Sequence, residues 1–158
     1  MHIDEFVLHH DLLYRIPADQ HSFDCLSRLL DEHPEIYFVS LVGIDMAGND
    51  TDEKIPVSLF RKHMDSYLNG GVQTDGSSVV LPGIATINDA KVDFIADNDV
   101  TWYVDYNYEH QDPKTCRPVG TIRIPAFLRH GNELVCSRSV LRRATVFLEQ
   151  ELLALYTK

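Results

Sequence analysis

Cysteine is scarce in this sequence and poorly spaced for covalent or metal chemistry. Cys25, Cys116 and Cys136 are odd in number and form no CxxC pair, which argues against a disulfide framework and a Cys-rich zinc centre. They read instead as small apolar side chains for burial. No apolar run approaches the roughly 18–20 residues that cross a bilayer. The opening stretch, MHIDEFVLHHDLLYR, carries early acids and lacks a basic region followed by an apolar core, so it is not a secretory leader and a cytoplasmic location is expected. Positive charge is also short, with 14 Lys+Arg against 24 Asp+Glu and a net charge of −10. A surface this acidic repels phosphate backbones and anionic lipid, so neither nucleic acid nor membrane is an expected partner. No phosphate-cradling GxxxxGK[ST], GxGxxG, HExxH or GxSxG occurs, nor any internal repeat.

What remains is an ordinary globular composition, 44% hydrophobic and 24% charged over 158 residues, enough for one domain with a short extension. Residues 1–20 read as an arm or short helix carrying Phe6, Val7, Leu8, Leu12 and Leu13, ended by Pro17. Ser22 can cap a helix to Glu32 with Phe23, Leu26, Leu29 and Leu30 on one face, stopped by Pro34. The β-branched and aromatic run Ile36 to Ile44 predicts a buried strand, and 45–50 a turn. A short strand at 54–57 leads into a helix with Val57, Phe60, Met64 and Leu68 at helical spacing, closed by Gly70-Gly71 as a left-handed cap. Residues 92–96 and 100–104 flank Asp97-Asn98-Asp99 and predict a hairpin. A loop over 107–118, a strand over 119–127 with Pro125 at an edge or bulge, and a short strand at 132–136 follow. Leu141, Ala144, Leu148, Leu152 and Leu155 form one stripe of a final helix. Helices interleaved with hairpin-connected strands predict an α+β fold, a mixed or antiparallel sheet with two or three packed helices.

Few residues carry a chemical signal. Arg138, Arg142 and Arg143 make the one basic cluster, read as a solvated helix face or as local neutralisation of acids. The eight histidines are scattered. His9-His10-Asp11 is their one local grouping, and no metal centre is assigned to it. The segment Asp75-Gly76-Ser77-Ser78 has two readings. It is a turn in which Asp75 accepts from the backbone two residues on and Gly76 takes the positive φ. Alternatively, the missing side chain at Gly76 lets the chain approach a ligand, with Asp75 a fixed carboxylate at a sheet edge suited to a small cation or a proton to be removed.

A wider pattern surrounds that segment. A strand, Phe38 to Ile44, runs into Asp45 and Gly48; Ile55-Pro56-Val57 enters a helix; Asp75 to Ser78 follow; Asp89 heads a strand and Asp97 precedes one; Arg138 and Leu141-Arg142-Arg143-Ala144 open the last helix. In this order, from Phe38 to Ala144, the chain resembles the N-terminal β-grasp domain of glutamine synthetase. It departs from the family's pattern at Thr74, Ala96 and Ser137. The resemblance implies a β-grasp-like domain over 21–136 and, at 137–158, the first helix of a catalytic domain that lies outside this sequence. It implies an ATP-dependent ligase that joins ammonia to glutamate through γ-glutamyl phosphate, using ATP and Mg2+ or Mn2+ in the full-length enzyme, with no metal or nucleotide site in this chain. It implies homo-oligomeric rings in which Asp75 completes the adjacent subunit's active site as the catalytic acid that holds ammonium and takes its proton. Gly76, Ser77 and Ser78 would scaffold that loop, and the chain would be inactive alone. A free-standing β-grasp interaction module, or a relative that ligates an amine to a different carboxylate, stands as the alternative.

Overall fold

The computed structural model describes residues 8–75 (Asp75 as backbone), 79–81 and 91–156. Strand β1 (Arg15–Ile16) is followed by a 3-10 turn at Ala18–Gln20 and helix α1 (Phe23–Glu32). The expected cap is in place, with Ser22 Oγ accepting from the Cys25 N–H at 3.3 Å. Leu26, Leu29 and Leu30 are buried, whereas Phe23, expected on the same face, stands exposed at the first turn. Strands β2 (Ile36–Ile44) and β3 (Asp50–Pro56) form a hairpin across the predicted turn. Beyond them come helix α2 (Val57–Lys62), β4 (Val72–Asp75), β5 (Lys91–Ala96), β6 (Trp102–Gln111), β7 (Pro118–His130), β8 (Glu133–Leu134) and helix α3 (Ser137–Tyr156). The fold is α+β, as expected.

The sheet is organised by β7. Its first part lies between β6 and β2 in the order β1-β6-β7-β2-β3, antiparallel to β6 and parallel to β2. Its last part pairs with β5 and β8. The predicted hairpin between 92–96 and 100–104 does not form. Instead β5 and β6 pair with successive stretches of the same strand, Ala96 opposite Ala126 and Tyr103 opposite Arg123. Residues 97–101 are therefore an excursion between two strand segments, held where the Asp97 N–H donates to the Pro125 carbonyl at 2.8 Å. Turn-forming residues between alternating runs produce the same local pattern in either case. Pro125 sits at this change of pairing, where its lack of an N–H is tolerated. Beneath the sheet Val39, Leu41, Trp102, Val104, Ile122 and Ile124 share one core with Leu26 and Leu30 of α1 and Phe60, Met64 and Leu68.

The helix predicted over 57–68 breaks. α2 ends at Lys62, a π-helical turn occupies Ser66–Gly70, and Gly71 takes φ 89°, ψ 169°. That is an extended positive-φ state, not the expected left-handed cap. The geometry swings the chain directly into β4, with no room for a side chain. A Cβ on Gly71 would lie 2.5 Å from Ile95 Cδ1 and 2.9 Å from the Phe94 carbonyl oxygen. Gly71→Ala is expected to cost about 2–4 kcal/mol, combining strained φ with overpacking. A urea titration would read this as a lower midpoint at unchanged slope.

The predicted loop over 107–118 is shorter than expected, because β6 continues to Gln111. Asp112 closes what remains. Its carboxylate accepts from Tyr37 Oη (2.6 Å), the Thr115 hydroxyl (2.8 Å) and the Thr115 and Lys114 N–H groups. These bonds, that from Tyr37 foremost, pull its pKa down from 3.8 to about 2. Because the folded value is depressed, the stabilisation is complete above pH 3.8 and is lost as pH falls toward 2. Asp112→Asn should flatten the acid limb of the stability curve in that window and leave its shape near neutrality unchanged. Cys116, in the same loop, is exposed at φ 56° rather than buried, while Cys136 is buried and Cys25 intermediate.

Helix α3 meets the domain through its first two turns, where Arg138, Arg142 and Arg143 reach Asp97, Asp99 and the Leu134 carbonyl. Ser139 is buried, but every residue from Val140 to Tyr156 is exposed. The stripe of Leu141, Leu148, Leu152 and Leu155 faces solvent. Of the helices, α1 and α2 contribute buried side chains to the core and α3 projects from it.

Candidate functional site

Among the described residues β4 pairs with β5 alone, Val72 opposite Phe94 through Asp75 opposite Lys91. Asp75 is the last residue of β4. Gly76, Ser77, Ser78 and Asp89 lie outside the described residues, as does the Asp75 side chain. The sequence-predicted loop is therefore defined by the two places where the chain enters and leaves it. Entry is fixed by pairing with β5 and by Thr74, which is buried immediately before Asp75.

Exit is fixed by a residue whose structural part the sequence pattern did not disclose. Asp45, at the end of β2, is 2% exposed. Its Oδ1 accepts from the Ala47 and Asn49 N–H groups at 2.9 Å each. Its Oδ2 accepts from the Asn49 side-chain amide at 3.1 Å and from the Val80 N–H at 2.9 Å. The Met46 N–H in turn donates to the Val80 carbonyl at 3.1 Å. Val79 and Leu81 are buried on either side of exposed Val80. Burial pushes the Asp45 carboxyl up, but the donors from Val80, Asn49 and Ala47 outweigh it and hold the group below its usual range. Asp45 thus stays ionised and keeps its four donors at neutral pH.

A second constellation joins α3 to the sheet. Arg138 Nη2 donates to Asp97 Oδ2 at 2.6 Å, and Asp97 is buried. The Asp97 carbonyl accepts from Trp102 Nε1 at 3.0 Å. The Arg138 guanidinium lies 4.7 Å from the Phe127 ring centroid, with Arg142 at 5.7 Å. Arg142 also faces Asp99 at 3.8 Å. Two of the three clustered arginines therefore neutralise acids of the 97–101 excursion. Arg138 and Val100 are shared by two grooves, one of about 420 Å³ against α3 and one of about 670 Å³ on the open sheet face beside Val42, Ile44, Tyr103 and Arg123.

Metal-binding chemistry finds little support here. His9, His10 and Asp11 bring one ligand atom each within 4.8 Å of one another, all on exposed residues of one turn. Among the described residues no other three His, Cys, Asp or Glu side chains converge in this way. Glu35 is a fully buried carboxylate, but His33 Nδ1 at 2.9 Å and Arg117 at 3.5 Å occupy it. Among the described residues no group of carboxylates is gathered for the divalent ions that the resemblance assigns to the full-length enzyme.

No known protein family matches the sequence, and no curated protein matches it. Among solved structures, the chain is similar to GmaS, gamma-glutamylmethylamide synthetase, a member of the glutamine synthetase family. Against a GmaS–ADP complex the TM-score is 0.46 at 15% identity, covering 70% of this chain and 21% of that one. Against GmaS without ligand it is 0.46 at 16% identity, covering 69% and 22%. The chain thus spans about a fifth of the length of these neighbours. No helix among the described residues is long and apolar enough to cross a membrane.

Proposed function

We propose that this chain is the β-grasp portion of an ATP-dependent ligase of the glutamine synthetase kind, and that Asp75 completes a pocket whose remainder belongs to another subunit. The observation that carries the reading is the placement of Asp75. It is the last residue of β4, a strand paired on one side among the described residues, at the start of an Asp-Gly-Ser-Ser segment and within the motif order of the resemblance. Strands β2, β5 and β6 meet in one sheet through β7, the arrangement that a shared β-grasp core requires.

Ammonium has no lone pair and must lose a proton before it can attack an acyl phosphate. A carboxylate in a pocket closed to water attracts the cation and accepts that proton. The ammonia lone pair then forms the C–N bond at the γ-carbonyl, and the C–O bond to phosphate breaks as phosphate leaves. ATP and Mg2+ or Mn2+ would supply the phosphoryl transfer in the remainder of the enzyme. The same carboxylate would serve a small amine, so a relative that ligates an amine to a different carboxylate uses Asp75 in the same role. The proposed setting is a homo-oligomeric ring in the cytoplasm. A second reading, a non-catalytic interaction module, is favoured by one observation, the solvent-facing leucine stripe of α3.

The complete protein, incubated with glutamate, ATP, Mg2+ and ammonium or methylamine, should release phosphate in an amine-dependent manner, while residues 1–158 alone should release none. Phosphate release that ignores the amine would overturn the ligase reading. A complete protein with no ATP-dependent activity would leave the module reading in its place.

A further inference from the structure

The open face of the sheet carries a groove of about 670 Å³ whose charge runs against that of the chain. Its floor lies where β2, β6 and β7 run side by side, with Val42, Ile44, Tyr103 and Arg123 on the face opposite the core. The 97–101 excursion and the first turn of α3 stand around it, contributing Thr101 and Arg138. Two of the lining residues are arginines and none is acidic, in a chain of net charge −10. The acids that balance them sit outside the lining. Arg123 donates through Nη1 to Asp52 Oδ2 at 3.2 Å, and that oxygen also accepts from Ser40 Oγ at 2.6 Å. Arg138 donates through Nη2 to Asp97 at 2.6 Å, and its Nη1 is buried with no hydrogen-bond partner among the described residues. Each guanidinium is thus anchored by an acid through one nitrogen and keeps donors unused.

We propose that this groove binds a small monoanionic carboxylate with an apolar body, its head group at Arg123 and Arg138 and its body against Val42, Ile44 and the exposed Tyr103 ring. Nothing in this rests on the role proposed for Asp75. The volume falls in the range of small-molecule sites, about 300–1,000 Å³. A guanidinium meets a carboxylate through two parallel N–H bonds, and one that is already anchored loses little freedom in doing so. The apolar floor calls for a hydrophobic body, because a bare head group would leave Val42 and Ile44 facing water. The head group carries a single charge. Each arginine already shares its charge with an acid, so a dianion would give up its hydration for a site that is close to neutral as a whole.

Phenylpropionate is the probe, with phenylpropanol as its uncharged counterpart, acetate as a head group without a body and phenyl phosphate as the dianion. Followed by backbone amide NMR of the chain, phenylpropionate should shift the Ile44, Thr101, Tyr103 and Arg123 amides in a saturable manner. Phenylpropanol and acetate should each bind at least about tenfold more weakly. Arg123→Gln should weaken phenylpropionate about tenfold, and the fold should persist because the pair with Asp52 is partly exposed on both sides. Ile44→Glu, at an exposed position, sets a carboxylate of the chain itself beside the arginines and should abolish binding. Equal binding of phenylpropanol, or unchanged affinity in both variants, would overturn recognition of the charge. Equal binding of acetate would overturn recognition of the body, and tighter binding of phenyl phosphate would overturn the monoanion. Shifts confined to other parts of the chain, or none up to about 10 mM, would overturn the site itself.

Discussion

Asp75→Asn in the complete protein is expected to lower kcat/KM for ammonium by about 10²–10⁴-fold, the range seen when a positioned proton acceptor is lost. Binding of ATP should change less than about twofold. Asparagine has nearly the volume of aspartate, so packing at the end of β4 is preserved. It has no charge to draw in a cation, and its amide does not accept the proton. The loss should therefore appear at the amine and not at the nucleotide. Thermal unfolding of the variant should match the wild type within about 2 °C, because the substitution keeps the size of the side chain at the last residue of β4. A variant that unfolds early and loses ATP binding equally would assign Asp75 to stability instead.

The second large effect lies at the joint with α3. Arg138→Ala removes the cation that faces buried Asp97 at 2.6 Å and the guanidinium stacked over Phe127. Stranding a buried charge costs several kcal/mol, reduced here because the Arg138 side chain is 27% exposed. We expect a loss of about 2–4 kcal/mol, or a melting temperature lower by roughly 5–12 °C. Asp97→Ala should cost a similar amount. The double variant should cost clearly less than the sum, since the second change removes a charge the first left without its cation. Strict additivity would mean that the two groups do not interact in solution. Because Arg138 is in the first turn of α3, the single variant should also loosen the helix, seen as faster amide exchange from Val140 onward.

What could be read from the sequence follows from how locally each feature is encoded. β2 was legible at its full length because a dense β-branched and aromatic run predicts a strand wherever it occurs, and α1 because Ser22 and Pro34 bracket its apolar stripe. The excursion at 97–101 was not legible: Asp97-Asn98-Asp99 has turn chemistry, and the decision between hairpin and interruption was taken by β7, where Ala126 pairs with Ala96 and Arg123 with Tyr103 on either side of the excursion. The extended state of Gly71 is set by its close approach to Ile95 and the Phe94 carbonyl, neighbours more than 20 residues away in the chain. Cys116 looked like a core residue by type and is instead an exposed position of a left-handed turn closed by Asp112. In the candidate site, Asp75 to Ser78 was found through short-range turn chemistry and the order of motifs. The bond from the Val80 N–H to Asp45 and the pair between Asp97 and Arg138 span 35 and 41 residues, beyond the reach of any local pattern.

The most direct test of an Asp75 that serves a neighbour is subunit mixing. One preparation of the complete protein carries Asp75→Asn, and another is silenced in its nucleotide-binding part. Each is inactive by itself, and the two are dissociated, mixed in equal amounts and reassembled. If Asp75 of one subunit completes the pocket of the next, random assortment gives intact pockets and about a quarter of wild-type ammonium-dependent activity returns. Mixed oligomers that form and stay inactive would contradict a shared pocket.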